Sequence, residues 1–261
     1  MASKITAPKI LAKKHSGERI VCLTAYDFTS AAIADESGVD LILVGDSLGN
    51  VILGYDTTVP VTLDDMIHHT KAARRGVNNA LLVADLPFGS YNSSTSQAVD
   101  SAVALMKAGA EAVKLEGDYP EAIEALVKAG IPTMGHVGFT PQSVNKFGGF
   151  KVQGKADSGQ IVNDAAKRLS DAGAFSVVLE LIPAELAKQI TNNIHAATIG
   201  IGAGIHCDGE IQVFHDIMGF APKVYKHTRH YAKGGELFRG AVSEYSQDVR
   251  DGKFPTEENS F

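Results

Sequence analysis

Short apolar runs recur along the chain, and five of them end on an acid or a histidine. They read ILVGD to Asp46, LLVAD to Asp85, AVKLE to Glu116, PTMGH to His136 and SVVLE to Glu180. Four share a lead-in in which a glycine stops a helical pattern: ESGVDLILVGD, KAGAEAVKLEG, KAGIPTMGHVG and DAGAFSVVLEL. Helix, glycine cap, short link, buried strand and polar strand end form the repeating unit of a parallel α/β protein.

The pattern predicts a first helix over roughly 7–15 and a first strand over roughly 20–24. The next strands end at Asp46 and Asp85, followed by EAVKLEG, PTMGH, FSVVLE and ATIGIG, with IQVFHDIMG as the last. Between the second and third strands, VTLDDMIHHTKAARRG reads as a helix with Thr62 as its cap, Asp65 as capping-box partner and Gly76 at its end. Eight strands favour closure over an open sheet. The fold class is α/β, a single (β/α)8 TIM barrel over 1–261 with an N-terminal helix and a polar, loose tail at 251–261.

A chain of 261 residues suits one such barrel. With 30 acidic against 24 basic residues, neither nucleic acid nor an anionic membrane is indicated as a partner. Cys22 and Cys207 lack paired spacing and read as reduced thiols. No signal-peptide core and no membrane-length apolar run is present, so the reading is soluble and cytoplasmic. Two connections, Ser47–Pro60 and VGFTPQSVNKFGGFKVQGKADSG, exceed what linking requires. Their apolar and aromatic residues read as substrate or lid loops rather than floppy insertions.

Barrel enzymes gather their chemistry at the C-terminal strand ends. In EAVKLEG, Lys114 and Glu116 share one strand face and Val113 and Leu115 the other, so the charged pair points to the barrel mouth or forms a buried ion pair. Asp46 and Asp85 end neighbouring strands and repel each other unless a cation lies between them. With Glu116 they suggest a hard divalent cation held by oxygen donors, most simply Mg²⁺, although either aspartate alone could cap a turn. Glu180 ends an apolar strand, where burial would raise its pKa and suit it to act as a base; the alternative is a salt bridge to Lys151 or Lys155. His136 is open to a direct or a structural role. His68 and His69 read as surface or packing residues, GIGAG as a turn or a close approach to a ligand, and Cys207 as unactivated.

VGDSLG at 44–49, VPVTLDDM at 59–66, ADLPFGSY at 84–91, VKLEG at 113–117, GHVGFTPQSVNKFGGFKVQGK at 135–155, VLELIPAELAKQIT at 178–191 and IGIGAG at 199–204 together resemble the ketopantoate hydroxymethyltransferases of pantothenate biosynthesis. The resemblance spans nearly the whole chain. It implies a homodecameric barrel with Mg²⁺ at Asp46 and Asp85 and Glu116 in or near its shell. It also implies a 2-oxo acid, 3-methyl-2-oxobutanoate, held by Asp46, Ser47, Asp85 and Lys114, with His136 beside it and Glu180 as catalytic base. The one-carbon donor would be 5,10-methylenetetrahydrofolate and the product 2-dehydropantoate. Two alternatives stay open: a Mg²⁺-dependent barrel lyase cleaving a C–C bond of a 2-oxo or 2-hydroxy acid, and a non-catalytic barrel.

Overall fold

The alternation in the sequence is realised as parallel strands that close on themselves. The computed structural model describes residues 4–155, 158–221 and 224–261. Its strands are β1 (Ile20–Thr24), β2 (Leu41–Val44), β3 (Leu81–Asp85), β4 (Ala112–Lys114), β5 (Thr133–Gly138), β6 (Ser176–Glu180), β7 (Ala197–Ile201) and β8 (Gly209–Gln212). They pair in chain order, all parallel, and β8 returns to β1, giving the (β/α)8 barrel that the sequence predicts. The helices are α1 (Ala7–Ser16), α2 (Phe28–Glu36), α3 (Leu48–Val51), α4 (Leu63–Arg74), α5 (Thr95–Ala108), α6 (Pro120–Lys128), α7 (Val144–Phe147), α8 (Ser158–Asp171), α9 (Ala184–Asn193), α10 (Phe214–Ile217) and α11 (Gly234–Arg250).

An apolar cluster occupies the inside of the barrel. Leu41 and Leu43, Leu81 and Val83, Ala112, Met134, Val178, Ala197, Ile199 and Ile211 fill it, and α1 adds Ala7 and Ile10. Fully burying a leucine or isoleucine here contributes about 1.5–3 kcal/mol. Because side chains alternate with period two, the inward positions continue from Val83 to Asp85, from Ala112 to Lys114, from Met134 to His136 and from Val178 to Glu180. The same alternation that packs the core therefore aims four polar residues into the C-terminal mouth.

The four repeated glycines Gly38, Gly109, Gly130 and Gly173 all adopt left-handed φ, between 80° and 112°, as helix stops require. The capping box of α4 is present: Thr62 Oγ1 accepts from the Asp65 amide at 3.1 Å and Asp65 Oδ2 accepts from the Thr62 amide at 2.9 Å. Gly76 has a different use. The helix already ends at Arg74, and a Cβ at Gly76 would lie 2.5 Å from the Phe28 carbonyl oxygen, so the glycine lets α4 meet α2.

The last strand is shorter than IQVFHDIMG suggested. It stops at Gln212, and Phe214–Ile217 turns into α10, with the Met218 amide bonded to the Phe214 carbonyl at 3.0 Å. Phe214, Ile217 and Met218 have the spacing of a helical face, which wins once the barrel register ends. The two long connections carry ordered backbone: α3 in one, and a 3₁₀ turn (Pro141–Ser143) followed by α7 in the other. Ala156 and Asp157 of the second connection lie outside the described residues. Among the described residues, no helix is long and apolar enough to cross a membrane.

The chain divides into two compact units, 1–213 with all eight strands and 214–261. Within the second unit, the Gly234 and Gly235 amides bond to the carbonyls of Met218 and Gly219 at 2.8 and 3.0 Å. Along α11, Leu237, Phe238, Val242, Tyr245 and Val249 form an exposed apolar face. The tail carries a short 3₁₀ turn at Glu257–Asn259, capped by Thr256, and is exposed throughout.

Candidate active site

The mouth of the barrel holds an unbroken run of polar contacts across five consecutive strand ends. Gly45 makes the first contact close. It leaves the Asp46 amide 3.2 Å from Asp85 Oδ2, and a Cβ at Gly45 would sit 2.9 Å from Ser47 Oγ and 3.4 Å from that carboxylate. Asp85 stands opposite Lys114 in the β3–β4 register, and Lys114 Nζ lies 2.5 Å from Asp85 Oδ1 and 3.6 Å from Glu116 Oε1. Glu116 Oε1 is 3.3 Å from His136 Nδ1, and His136 Nε2 is 3.2 Å from Glu180 Oε2. Neither imidazole contact is aligned as a hydrogen bond, so both are charge pairs at short range. Asp46, Asp85, Lys114, Glu116 and His136 are each at most 4 % exposed, while the Glu180 side chain keeps 15 % exposure.

Six of the seven site residues read from the sequence are thus brought into one cluster. Ser47 adjoins it, with its hydroxyl 2.8 Å from that of Tyr26. Asp46 and Asp85 appear uncompensated in the sequence; in the fold Lys114 answers Asp85, and the Gln142 amide donates to Asp46 Oδ2 at 2.9 Å. Glu180 faces His136, the pairing that the sequence reading did not weigh against Lys151 and Lys155. Leu181, directly after Glu180, has φ 48°, and its amide bonds to the Ile201 carbonyl at 2.9 Å. A bulky residue in the left-handed region is a local strain that only surrounding structure can hold, and here it borders the mouth.

The electrostatics follow from burial and sign. Burial pushes Asp46 well above the usual carboxylate range, and the charges of Asp85 and Glu116 push it further. Burial also raises Asp85, with Lys114 pulling part of the way back. Glu116 ends below its ordinary value: burial opposes this, but Lys114 and His136 outweigh it. Burial alone would strip the protons from Lys114 and His136, yet the carboxylates around them hold both charged. His136 is raised to about 9, chiefly by Glu116.

Gln142 and Tyr91 belong to this site and carry no obvious signal in the sequence. Gln142 lies in a turn of the long connection after β5, and Tyr91 in the segment after β3; a lone glutamine or tyrosine in a loop is uninformative without the fold. Tyr91 Oη lies 2.9 Å from the Glu116 carbonyl oxygen and 2.6 Å from Gln142 Oε1. The other readings are simpler. His69 Nδ1 is 2.6 Å from the Tyr26 carbonyl oxygen, a packing role. Burial lifts the Cys207 thiol to about 11, which leaves it inert at neutral pH. Glycine at position 200 within GIGAG admits Cys207 and Glu210, whose Sγ and Oε2 would both lie 3.1 Å from a Cβ there.

Four carboxylates face one lysine and one imidazolium, leaving the cluster net negative. Its free donors are hard oxygens, the chemistry of Mg²⁺ or Ca²⁺ rather than of a soft metal. In the present arrangement the carboxylates of Asp46, Asp85 and Glu116 do not converge on one point, and among the described residues no three His, Cys, Asp or Glu side chains do. Asp46 and Asp85 do adjoin, and Mg²⁺ is commonly held by one or two carboxylates with water and substrate oxygens completing its shell.

A closed parallel barrel with acid, base and ammonium groups at its C-terminal strand ends defines a (β/α)8-barrel enzyme. The model of one family, ketopantoate hydroxymethyltransferase, matches residues 4–257. The chain belongs to the ketopantoate hydroxymethyltransferase family, a family of transferases. It is 51 % identical to the 3-methyl-2-oxobutanoate hydroxymethyltransferase of Syntrophus aciditrophicus, over 99 % of this chain and 97 % of that protein. It is 48 % identical to the protein of the same name from Carboxydothermus hydrogenoformans, over 99 % and 95 %. Among solved structures, phosphonopyruvate hydrolase in complex with oxalate and Mg²⁺ superimposes with a TM-score of 0.62, at 13 % identity over 97 % of this chain and 93 % of that one. A 2,3-dimethylmalate lyase superimposes with 0.60, at 14 % identity over 98 % and 91 %. At that identity the likeness is one of fold.

Proposed function

We propose that this protein catalyses hydroxymethyl transfer to 3-methyl-2-oxobutanoate, with 5,10-methylenetetrahydrofolate as one-carbon donor and 2-dehydropantoate as product. The observation that carries the reading is the run of contacts from Asp46 to Glu180, in a chain half identical to enzymes of that name. The C3–H of the 2-oxo acid is weakly acidic, so the site must both accept a proton and stabilise the enolate that forms. Glu180 is the accessible carboxylate of the run and removes the C3 proton. The ammonium of Lys114 stands beside the oxygens that gain charge. The His136 imidazolium, between Glu116 and Glu180, orients the base and offsets one of the two carboxylate charges. Ser47, beside Asp46, contributes a hydroxyl to the 2-oxo acid.

Asp46 and Asp85 would hold Mg²⁺, with Glu116 in or near its shell, and an ion held there would supply Lewis-acid polarisation of the substrate's keto and carboxylate oxygens. The enolate carbon bonds to the donor's methylene carbon, water supplies the hydroxyl oxygen, both C–N bonds that hold the methylene break, and the C3 proton and one water proton end on the two nitrogens of the departing tetrahydrofolate. We further read the assembly as a cytoplasmic homodecamer, supported by the family resemblance; the exposed apolar face of α11 is consistent with association.

The test is product formation. Purified protein with 3-methyl-2-oxobutanoate should form 2-dehydropantoate only when both Mg²⁺ and methylenetetrahydrofolate are supplied. C–C cleavage of 2-oxo or 2-hydroxy acids without folate would instead mark a lyase.

A further inference from the structure

Gln142 is buried, and its backbone amide and both polar atoms of its side chain are used. Its backbone amide donates to Glu116 Oε2 at 3.0 Å. Its side-chain nitrogen donates to Asp46 Oδ2 at 2.9 Å and to the Leu86 carbonyl at 3.0 Å, and its Oε1 faces the Tyr91 hydroxyl at 2.6 Å. The orientation of the amide is forced. The Leu86 carbonyl can only accept, so the nitrogen must lie on that side whatever charge Asp46 carries, and its second proton then points at Asp46. Tyr91 is itself fixed. Its hydroxyl accepts from the Glu116 amide at 3.2 Å, and its ring stands edge-on to Tyr119 with centroids 5.4 Å apart. One residue in the connection after β5 is thereby bonded to the ends of β2 and β3 through its side chain and to the end of β4 through its backbone amide.

We propose that Gln142 is a positioning residue of the hydroxymethyl-transfer site: it sets the Asp46 carboxylate relative to Glu116, and Tyr91 sets Gln142. The inference rests on the function proposed above and adds to it. Neither residue touches the reacting carbon, so both act through the two carboxylates. The same bonds hold the connection itself. Releasing the turn at Pro141–Ser143 strips a donor from each carboxylate, so its backbone order and the carboxylate geometry are coupled.

The experiment uses the full-length assembled enzyme with Gln142→Met, which keeps length and removes both donors, and Tyr91→Phe, which removes one hydroxyl. Four quantities are read: kcat for C3 deuterium exchange, Mg²⁺ affinity by calorimetry, thermal midpoint, and the rate of tryptic cleavage at the exposed Lys146 and Lys151 of the same connection. Misplacing a reacting group by an ångström can cost on the order of 10²-fold, so Gln142→Met should lower kcat at least roughly tenfold. Mg²⁺ affinity should fall with it, and tryptic cleavage should quicken. Tyr91→Phe should move all three in the same direction by less. The double variant should be no worse than Gln142→Met, because the two residues act in series.

The proposal is overturned if Gln142→Met loses thermal stability while kcat and Mg²⁺ affinity stay within about twofold of wild type, since well-separated effects of a structural residue would look like that. It is also overturned if the losses of the two variants multiply. Should Gln142→Met fail to fold, Tyr91→Phe carries the same comparison. If wild type neither exchanges C3–H nor forms product, the proposed function fails instead, and the Mg²⁺ and cleavage measurements still decide the coupling.

Discussion

Lys114 sets its ammonium 2.5 Å from Asp85, directly across the β3–β4 register, with both side chains almost fully buried. Such a pair is a constraint more than a source of stability. Removing one member leaves an uncompensated buried charge, at about 3–5 kcal/mol, whereas replacing both with apolar residues can be near neutral. Lys114→Met should therefore lower unfolding stability by that order. Lys114→Met combined with Asp85→Leu should recover much of the loss while remaining inactive. Denaturant unfolding of the two variants checks this. Equal losses in the single and double variants would show that the pair is not coupled.

Asp46→Ala and Asp85→Ala should each abolish metal-dependent activity while the barrel persists. Asp46 lies beyond the end of β2, and its side chain bonds to a loop amide rather than to the sheet. Titration calorimetry with Mg²⁺ in the presence of 3-methyl-2-oxobutanoate measures the loss, with far-ultraviolet circular dichroism as the control. Undiminished Mg²⁺ binding in both variants would remove the aspartates from the ligand set.

Asp35 gives the clearest pH effect. Its carboxylate accepts from the amides of Asn78, Asn79 and Ala80 at 2.7–3.2 Å, and from the Asn79 side chain at 3.1 Å. Burial raises its pKa, but these donors outweigh burial and leave it below 3.8. A depressed pKa contributes stability above the unfolded value, and that stability is lost as pH falls through the folded value. Asp35→Ala should thus cost about 2–3 kcal/mol at neutral pH, the scale of charge-assisted bonds to buried donors. The gap to wild type should narrow as pH drops below about 4. Unfolding midpoints measured across pH 2.5–7 test it, and a pH-independent gap would rule out the carboxylate's charge as the cause.

A decamer should appear in solution. Light scattering at micromolar concentration should give a mass near ten times 27.6 kDa. A monomeric mass would end that reading.

Much of this was legible in the sequence because it depends on local rules. The glycine stops at 38, 109, 130 and 173, the capping box at Thr62 and the period-two alternation through EAVKLEG each follow from backbone geometry, and each is found. The strand-end acids were legible for the same reason, since topology alone carries them to one mouth. What could not be read is what depends on contacts between distant segments. Gln142 lies 96 residues from Asp46 in sequence, and nothing local marks it as that carboxylate's donor. The left-handed Leu181 breaks the rule that reserves such φ for glycine, so the sequence pointed away from it. The last strand was overrun because IQVFHDIMG is apolar enough for a strand, and its helical spacing begins to matter only after the barrel register ends at Gln212.

The most direct measurement is deuterium exchange at C3 of 3-methyl-2-oxobutanoate, followed by proton NMR in the wild type and in Glu180→Gln. The substitution keeps the shape of the side chain and removes its basicity. Glu180 contacts His136 and none of the residues assigned to Mg²⁺ except through it, so Mg²⁺ and 2-oxo acid binding should survive. Exchange and 2-dehydropantoate formation should fall together, by at least the ~10²-fold typical of losing a general base. Exchange at the wild-type rate in Glu180→Gln would contradict the account, because the proton would then leave C3 without the carboxylate assigned to take it.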